Sequence, residues 1–185
     1  MAKVRGRTII PVRAFLKESF GDHGWKRVLA ELTPAQRTIV DGFMLPDSWY
    51  EREVHSALLR AAVKVHGHDM PDVSRRIGVR VAQHHDKFYI RPLLKLGGVK
   101  MVVKRAASLY RDYYQGGEMI LIEQRDSGGR LRVEDPDAPA ELCEGTLIGF
   151  IEEIIRLAGR EPVFVKQSAC KFAGGTACEI DFEWR

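Results

Sequence analysis

The chain is poor in cysteine, with three in 185 residues. Three is an odd and low number, which excludes a disulfide framework as the basis of the fold. It also lacks any apolar run long enough to span a bilayer, and its first residues do not have the pattern of a secretory leader. These absences lead to the expectation of a reducing, cytoplasmic setting. A chain of this length buries roughly 70% of its unfolded surface as one domain, and no linker-like segment divides it. The expectation is therefore a single domain, residues 1–185, with a helical part at 1–115 and a sheet-containing part at 116–185.

The catalytic signatures are missing too. There is no glycine loop of the phosphate-cradling kind, no Gly-x-Ser-x-Gly elbow and no His-Glu-x-x-His helix. A Cys/His nucleophile pair is the nearest arrangement, and no local context aims one histidine at one cysteine. A binding domain is better supported than an enzyme.

Charge is unevenly shared. Residues 1–115 carry 21 Lys/Arg against 11 Asp/Glu, and residues 116–185 carry 8 against 14. The basic residues are spread over several predicted helices with no aromatic interleaving, so solvated faces and internal pairing explain them better than nucleic acid does.

What the sequence does contain is periodicity. After a basic opening at 1–7, expected to be mobile or to dock late, apolar residues recur at helical spacing: Val12, Phe15, Leu16 and Phe20 up to Gly21, then Trp25, Val28, Leu29 and Leu32. Thr33-Pro34 is an N-cap followed by proline at the first helical position. Residues 43–50 break the pattern with clustered aromatics. Helices resume at 51–65 and again from Met70-Pro71 through Val73, Ile77, Val81, His85 and Phe88. A further helix, 99–113, follows Gly97-Gly98. Beyond Gly117 the period changes to that of strands, at 119–124 and 131–133 around a glycine turn. One strongly amphipathic helix, with Leu147, Phe150, Ile151, Ile154 and Ile155 on one side, leads to strands at 163–169 and 177–184. The order predicts an α+β fold: an N-terminal helical part packed on a four-stranded antiparallel sheet made by a β-β-α-β-β unit.

The last stretch is the most specific chemically. Cys170 and Cys178 flank a glycine pair, and Cys178, Ile180, Phe182 and Trp184 alternate with acidic residues as a strand with one dry face. Cys143 opens the helix that must cover the same sheet. Converging thiolates suit zinc, whereas buried free cysteine is also a common small hydrophobe, and spacing leaves both readings open. His66, His68, His84 and His85 raise a second metal possibility. Adjacent helical histidines point about 100° apart, so packed or surface histidines are the expectation.

The ending Cys170-Lys-Phe-Ala-Gly-Gly-Thr-Ala-Cys178-Glu-Ile resembles the C-terminal signature of the 4-vinyl reductase domain family, with a motif-level match over residues 116–184. The resemblance implies a small-molecule-binding sensory domain, often dimeric, related in fold to haem nitric-oxide sensor domains and to subunits of vesicle-tethering complexes. It also implies a structural zinc on Cys143, Cys170 and Cys178. Gln167 stands where the fourth ligand, a glutamate, belongs, and Glu144 is the available substitute. Specificity for phenol is not carried over. Haem is not expected, because the Tyr-x-Ser-x-Arg motif of the haem sensors is absent and no histidine aligns with their proximal ligand.

The reading is a non-catalytic sensory domain with an apolar pocket between helices and sheet, lined by Trp49, Tyr50, Phe88, Leu109, Tyr110, Tyr113 and Phe150. Its expected partners are a small hydrophobic or aromatic molecule and a second copy of the chain. The alternatives are a homodimeric scaffold with a filled pocket and an enzyme acting on a small hydrophobic substrate.

Overall fold

The computed structural model describes residues 2–85 and 89–185. The chain opens with β1 (Lys3–Arg5), which runs directly into α1 (Gly6–Ala30), a helix broken at Gly21, where φ is 62°. That break lies where the sequence predicts the boundary between its first two helices. Next comes α2 (Pro34–Asp41), closed at its start by a reciprocal capping box. Gln36 N donates to Thr33 Oγ1 at 3.3 Å, and Thr33 N donates to Gln36 Oε1 at 3.0 Å. β2 (Trp49–Glu51) leads into α3 (Arg52–His66), and α4 (Val73–His85) follows. After α5 (Arg91–Lys104), which is interrupted at Gly97 and Gly98, α6 (Ala106–Tyr113) passes into β3 (Tyr114–Gln115).

The second half is built as β4 (Glu118–Arg125), β5 (Gly128–Glu134), a π-helical turn at Leu142–Thr146 continuing into α7 (Leu147–Leu157), then β6 (Pro162–Ala169) and β7 (Cys178–Trp184). These four strands form one antiparallel sheet in the order β4-β5-β7-β6. The fold is therefore α+β, with the β-β-α-β-β unit carrying the sheet. The alternation in β7 sets its orientation: Cys178, Ile180 and Phe182 are fully buried and Trp184 nearly so.

A second, three-stranded sheet corrects one expectation. Residues 3–5 are its central strand, pairing with β2 on one side and β3 on the other. The basic opening is thus anchored, and Val4 is fully buried. Lys3 and Arg5 flank that single buried residue, and a three-residue strand is too short to show a period.

Helices α4 and α7 meet almost backbone to backbone. A Cβ on Gly78 would lie 1.9 Å from the Thr146 carbonyl oxygen, and one on Gly149 would lie 1.9 Å from that of Arg75. Only glycine permits this approach, and polar bonds lock it: Ser74 Oγ donates to the Glu141 carbonyl at 2.6 Å and Arg75 Nε donates to Glu152 at 2.8 Å. The apolar stripe of α7 is thereby held over the sheet, and one continuous core of buried side chains runs from α1 through α3 and α4 to β7.

Candidate functional site

The space that this packing leaves lies between α4, α5, α6, α7 and the inner face of β4 and β5. It is a cavity of about 80 Å³. Val99, Val102 and Val103 of α5 form one side, Leu147, Phe150 and Ile151 of α7 another, and Met119 and Leu131 the sheet side. Polar residues in the wall are few: His85, Thr8, Thr146 and the tyrosines Tyr110, Tyr113 and Tyr114. A concave, mostly apolar space with a few placed polar groups is the usual character of a small-ligand site.

His85 ends α4 at the cavity wall. It is 2% exposed, and its ring lies 4.8 Å from that of Tyr113. Burial, with smaller contributions from His84 and Arg7, lowers its pKa to about 3, so the imidazole is neutral at pH 7. Its Nε2 has no hydrogen-bond partner. Beyond it, Tyr89 receives a hydrogen bond from Arg7, which also pairs with Asp47.

On the other side of α6 two buried charges pair, while Arg52 Nε and Nη1 have no hydrogen-bond partner. Arg52 and Asp135 form an ion pair at 2.7 Å with side chains 3% and 1% exposed. Tyr110 donates its hydroxyl to the same carboxylate oxygen at 2.5 Å, and Asp135 Oδ1 accepts from the Asp137 N–H at 2.9 Å. The Arg52 guanidinium lies 4.0 Å from the centre of the Tyr114 ring. Burial raises the pKa of Tyr110 well above the usual phenol range, keeping it a donor. His55, one turn along α3 from Arg52, is fully buried with neither ring nitrogen partnered; burial, then Arg52, lowers its pKa to about 3.

Four of the seven residues predicted from sequence to line a pocket share this cavity: Leu109, Tyr110, Tyr113 and Phe150. Phe88 lies outside the described residues. Trp49 and Tyr50 stand elsewhere, on β2, where Trp49 stacks under Arg5 at 3.9 Å and the Tyr50 hydroxyl accepts from Leu45 N at 3.0 Å. Pairing of β2 with β1 commits both aromatics to the small sheet, and that pairing had no sequence signal. Sequence reasoning missed Thr8, Arg52 and Asp135. It placed His85 on the apolar stripe of α4 but took it for a satisfied histidine, which its Nε2 is not.

No family model matches the chain, and no curated protein matches it. Solved structures do. A variant H-NOX protein from K. algicida in the Fe(II) unliganded state aligns with TM-score 0.75 at 11% identity, covering 98% of this chain and 96% of that one. An H-NOX protein from S. oneidensis in the Fe(II)NO state gives 0.74 at 12%, covering 98% and 99%. The H-NOX domain of Shewanella oneidensis in the Fe(II)CO state gives 0.71 at 13%, covering 98% of each chain. The fold is the H-NOX fold. This is the haem nitric-oxide sensor fold to which the Cys-x7-Cys resemblance is related; the 4-vinyl reductase family itself has no matching model.

The expectation about the cofactor is corrected on both counts. Among the described residues no three of His, Cys, Asp and Glu come together as a metal site. Cys143 and Cys178 are both buried, and burial, with Cys178 beside it, pushes the Cys143 thiol far up, away from the thiolate that zinc needs. Cys170 instead donates to Glu144 at 3.8 Å. It falls beyond the β6–β7 ladder, which ends at Ala169 opposite Glu179, because the chain turns at Lys171–Ala173 and then through Gly174, where φ is 89°. Nor does the H-NOX fold agree with the expectation of no haem: its solved members hold Fe(II), so it points to haem rather than zinc.

The fit of such a group to these side chains is uneven. A neutral, unpartnered imidazole nitrogen is the chemistry of an iron ligand. A cavity of about 80 Å³ is well below the roughly 300–1,000 Å³ that holds larger organic ligands. As packed, with Leu109, Tyr113 and Phe150 in the wall, the residues do not fit a macrocycle.

Proposed function

We propose that this chain is a small-molecule sensor domain that binds its ligand in the cavity between α4, α5, α6, α7 and the sheet, using Leu109, Tyr110, Tyr113 and Phe150 as walls. The observation that carries this reading is an apolar cavity whose lining residues include His85 and Thr8, each with a buried side-chain polar atom that has no hydrogen-bond partner. The H-NOX fold of the chain supports it, since the solved structures of that fold include proteins with NO or CO bound. Residues 1–185 act as one unit, and the function is binding rather than turnover: the buried thiols of Cys143 and Cys178 are shut away from any substrate. No helix among the described residues is long and apolar enough to cross a membrane, and a cytoplasmic setting is part of the proposal.

Thermal shift tests the reading. The chain is screened against a panel of small apolar compounds, alongside Val102→Trp, which fills the cavity. Stabilisation of the native chain by one or more of them, lost in Val102→Trp, is the expected result. No stabilisation by any of them, or equal stabilisation of the filled variant, overturns it.

A further inference from the structure

Internal pairing accounts for most of the basic residues of the chain, but not for those around α5 and α6. Between Arg91 and Arg111 the sequence has six Lys/Arg and no Asp or Glu. The side chains of Lys95, Lys104, Arg105 and Arg111 in that segment are exposed and have no hydrogen-bond, ion-pair or ring partner. Elsewhere among the described residues only Lys3, Lys26 and Arg160 share that condition. The helix runs on through Arg105, whose N–H donates to the Met101 carbonyl at 3.1 Å and whose carbonyl accepts from Leu109 N at 2.8 Å. Spacings of four and seven therefore set Lys100, Lys104 and Arg111 in one stripe, about 16 Å long. The face turned away from it carries Val102 and Tyr113, both buried and in the cavity wall. Lys100 does have a partner, Asp126 at 3.0 Å, in an exposed pair that salt screens.

We propose that this stripe is a docking surface for a bilayer containing anionic lipid. A row of cations left unpaired, in a chain whose other basic residues are mostly engaged, projects its field outward to an anionic partner. The kind of partner follows from the side chains. Protein interfaces are depleted in lysine and anchored by aromatic residues, whereas Lys95, Lys100 and Lys104 dominate here and Tyr110, the one aromatic residue between 91 and 111, is buried. The same segment exposes Leu96 at 74%, beside Lys95 and next to the break at Gly97 and Gly98. A lipid interface takes apolar and basic side chains together, while a phosphate backbone has no use for leucine. The stripe lies on the outer side of α5 and α6 and requires nothing of the cavity.

Co-sedimentation of the full chain with vesicles tests the assignment, using phosphatidylcholine alone or with about 30% phosphatidylserine in about 0.1 M salt. The chain is expected to sediment with the mixed vesicles and to stay in solution with phosphatidylcholine. Each basic residue at such a surface contributes a factor of about five in partitioning, so Lys104→Gln with Arg111→Gln weakens binding about 25-fold. Lys26→Gln with Arg160→Gln removes the same net charge elsewhere and changes it about two-fold or less. All four side chains are exposed, so the substitutions leave the core untouched. Absence of sedimentation with the mixed vesicles overturns the proposal, and so does an equal loss in the two double variants, which would show net charge alone at work. Binding to soluble poly-L-glutamate as tight as to the vesicles overturns it as well, by assigning the stripe to an acidic protein.

Discussion

Helix α6 separates two buried polar regions that share its tyrosines and differ in how their polarity is settled. On one side Tyr110 joins Arg52 and Asp135, and the pair of charges is neutralised within 2.7 Å. On the other side Tyr113 packs against His85 in the cavity wall, where the imidazole is neutral and its buried Nε2 has no hydrogen-bond partner. The first arrangement ties α3, α6 and the loop after β5 into one piece. The second makes no such tie. The charge pair is a joint between elements, whereas the second region is the wall of a space, and two tyrosines of one helix serve both.

The largest effect separating the two sides comes from breaking the closed one. Asp135→Ala leaves the Arg52 guanidinium buried without its counter-charge and removes the acceptor of Tyr110, which costs about 3–5 kcal/mol. For a chain of this size that lowers the melting temperature by on the order of 10 °C. Calorimetric melting of the variant checks it; a loss under 1 kcal/mol would mean that the pair is not desolvated in solution.

Acid is the next instrument, and it reaches both sides. His85 and His55 have folded pKa values of about 3 against an ordinary 6.5. Below pH 6.5 the unfolded chain binds protons that the folded chain refuses, so stability is complete above that value and falls as pH drops from about 6.5 toward 3. Two such groups give a limiting slope of about 2.7 kcal/mol per pH unit, at 1.36 each. Denaturant midpoints across this range, measured for the native chain and for His55→Phe and His85→Phe, should show the slope cut by about half in each variant. A slope that neither change alters would show that carboxylates, not these histidines, govern acid unfolding.

Much of the architecture was legible in the sequence because it rests on local periods. The stripe of α7, the alternation of β7, the Thr33 cap and the regime change at Gly116-Gly117 are each decided within a few residues, and the sheet follows from them. The small sheet was not legible, since β1, β2 and β3 are two or three residues long and meet only through pairings dozens of residues apart. The site was half legible for a similar reason. Leu109, Tyr110, Tyr113 and Phe150 lie on helix faces whose inward side the pattern reveals, whereas Arg52 and Asp135 are buried against their type by a contact between residues 83 positions apart. The cysteines misled because a Cys-x7-Cys spacing says nothing of where the strand ladder stops. One residue of turn geometry after Ala169 takes Cys170 off the sheet.

The smallest effects sharpen the comparison most, since they remove one polar handle from each side of α6 and leave an aromatic ring in its place. Tyr110→Phe takes a donor from Asp135, leaving a buried carboxylate oxygen with one partner fewer, and costs about 1–3 kcal/mol. His85→Phe takes away a neutral imidazole whose Nε2 has no hydrogen-bond partner, at a cost of no more than about 1 kcal/mol, offset by the greater hydrophobicity of phenylalanine. Equilibrium unfolding at pH 7 should therefore rank Tyr110→Phe as the more damaging change, with His85→Phe within about 1 kcal/mol of the native chain. The ranking follows from satisfaction rather than burial, because both side chains are almost fully buried, at 3% and 2% exposed. If His85→Phe proves the costlier, then Nε2 is engaged in the resting protein, and the cavity side of α6 is as tightly bonded as the charge pair.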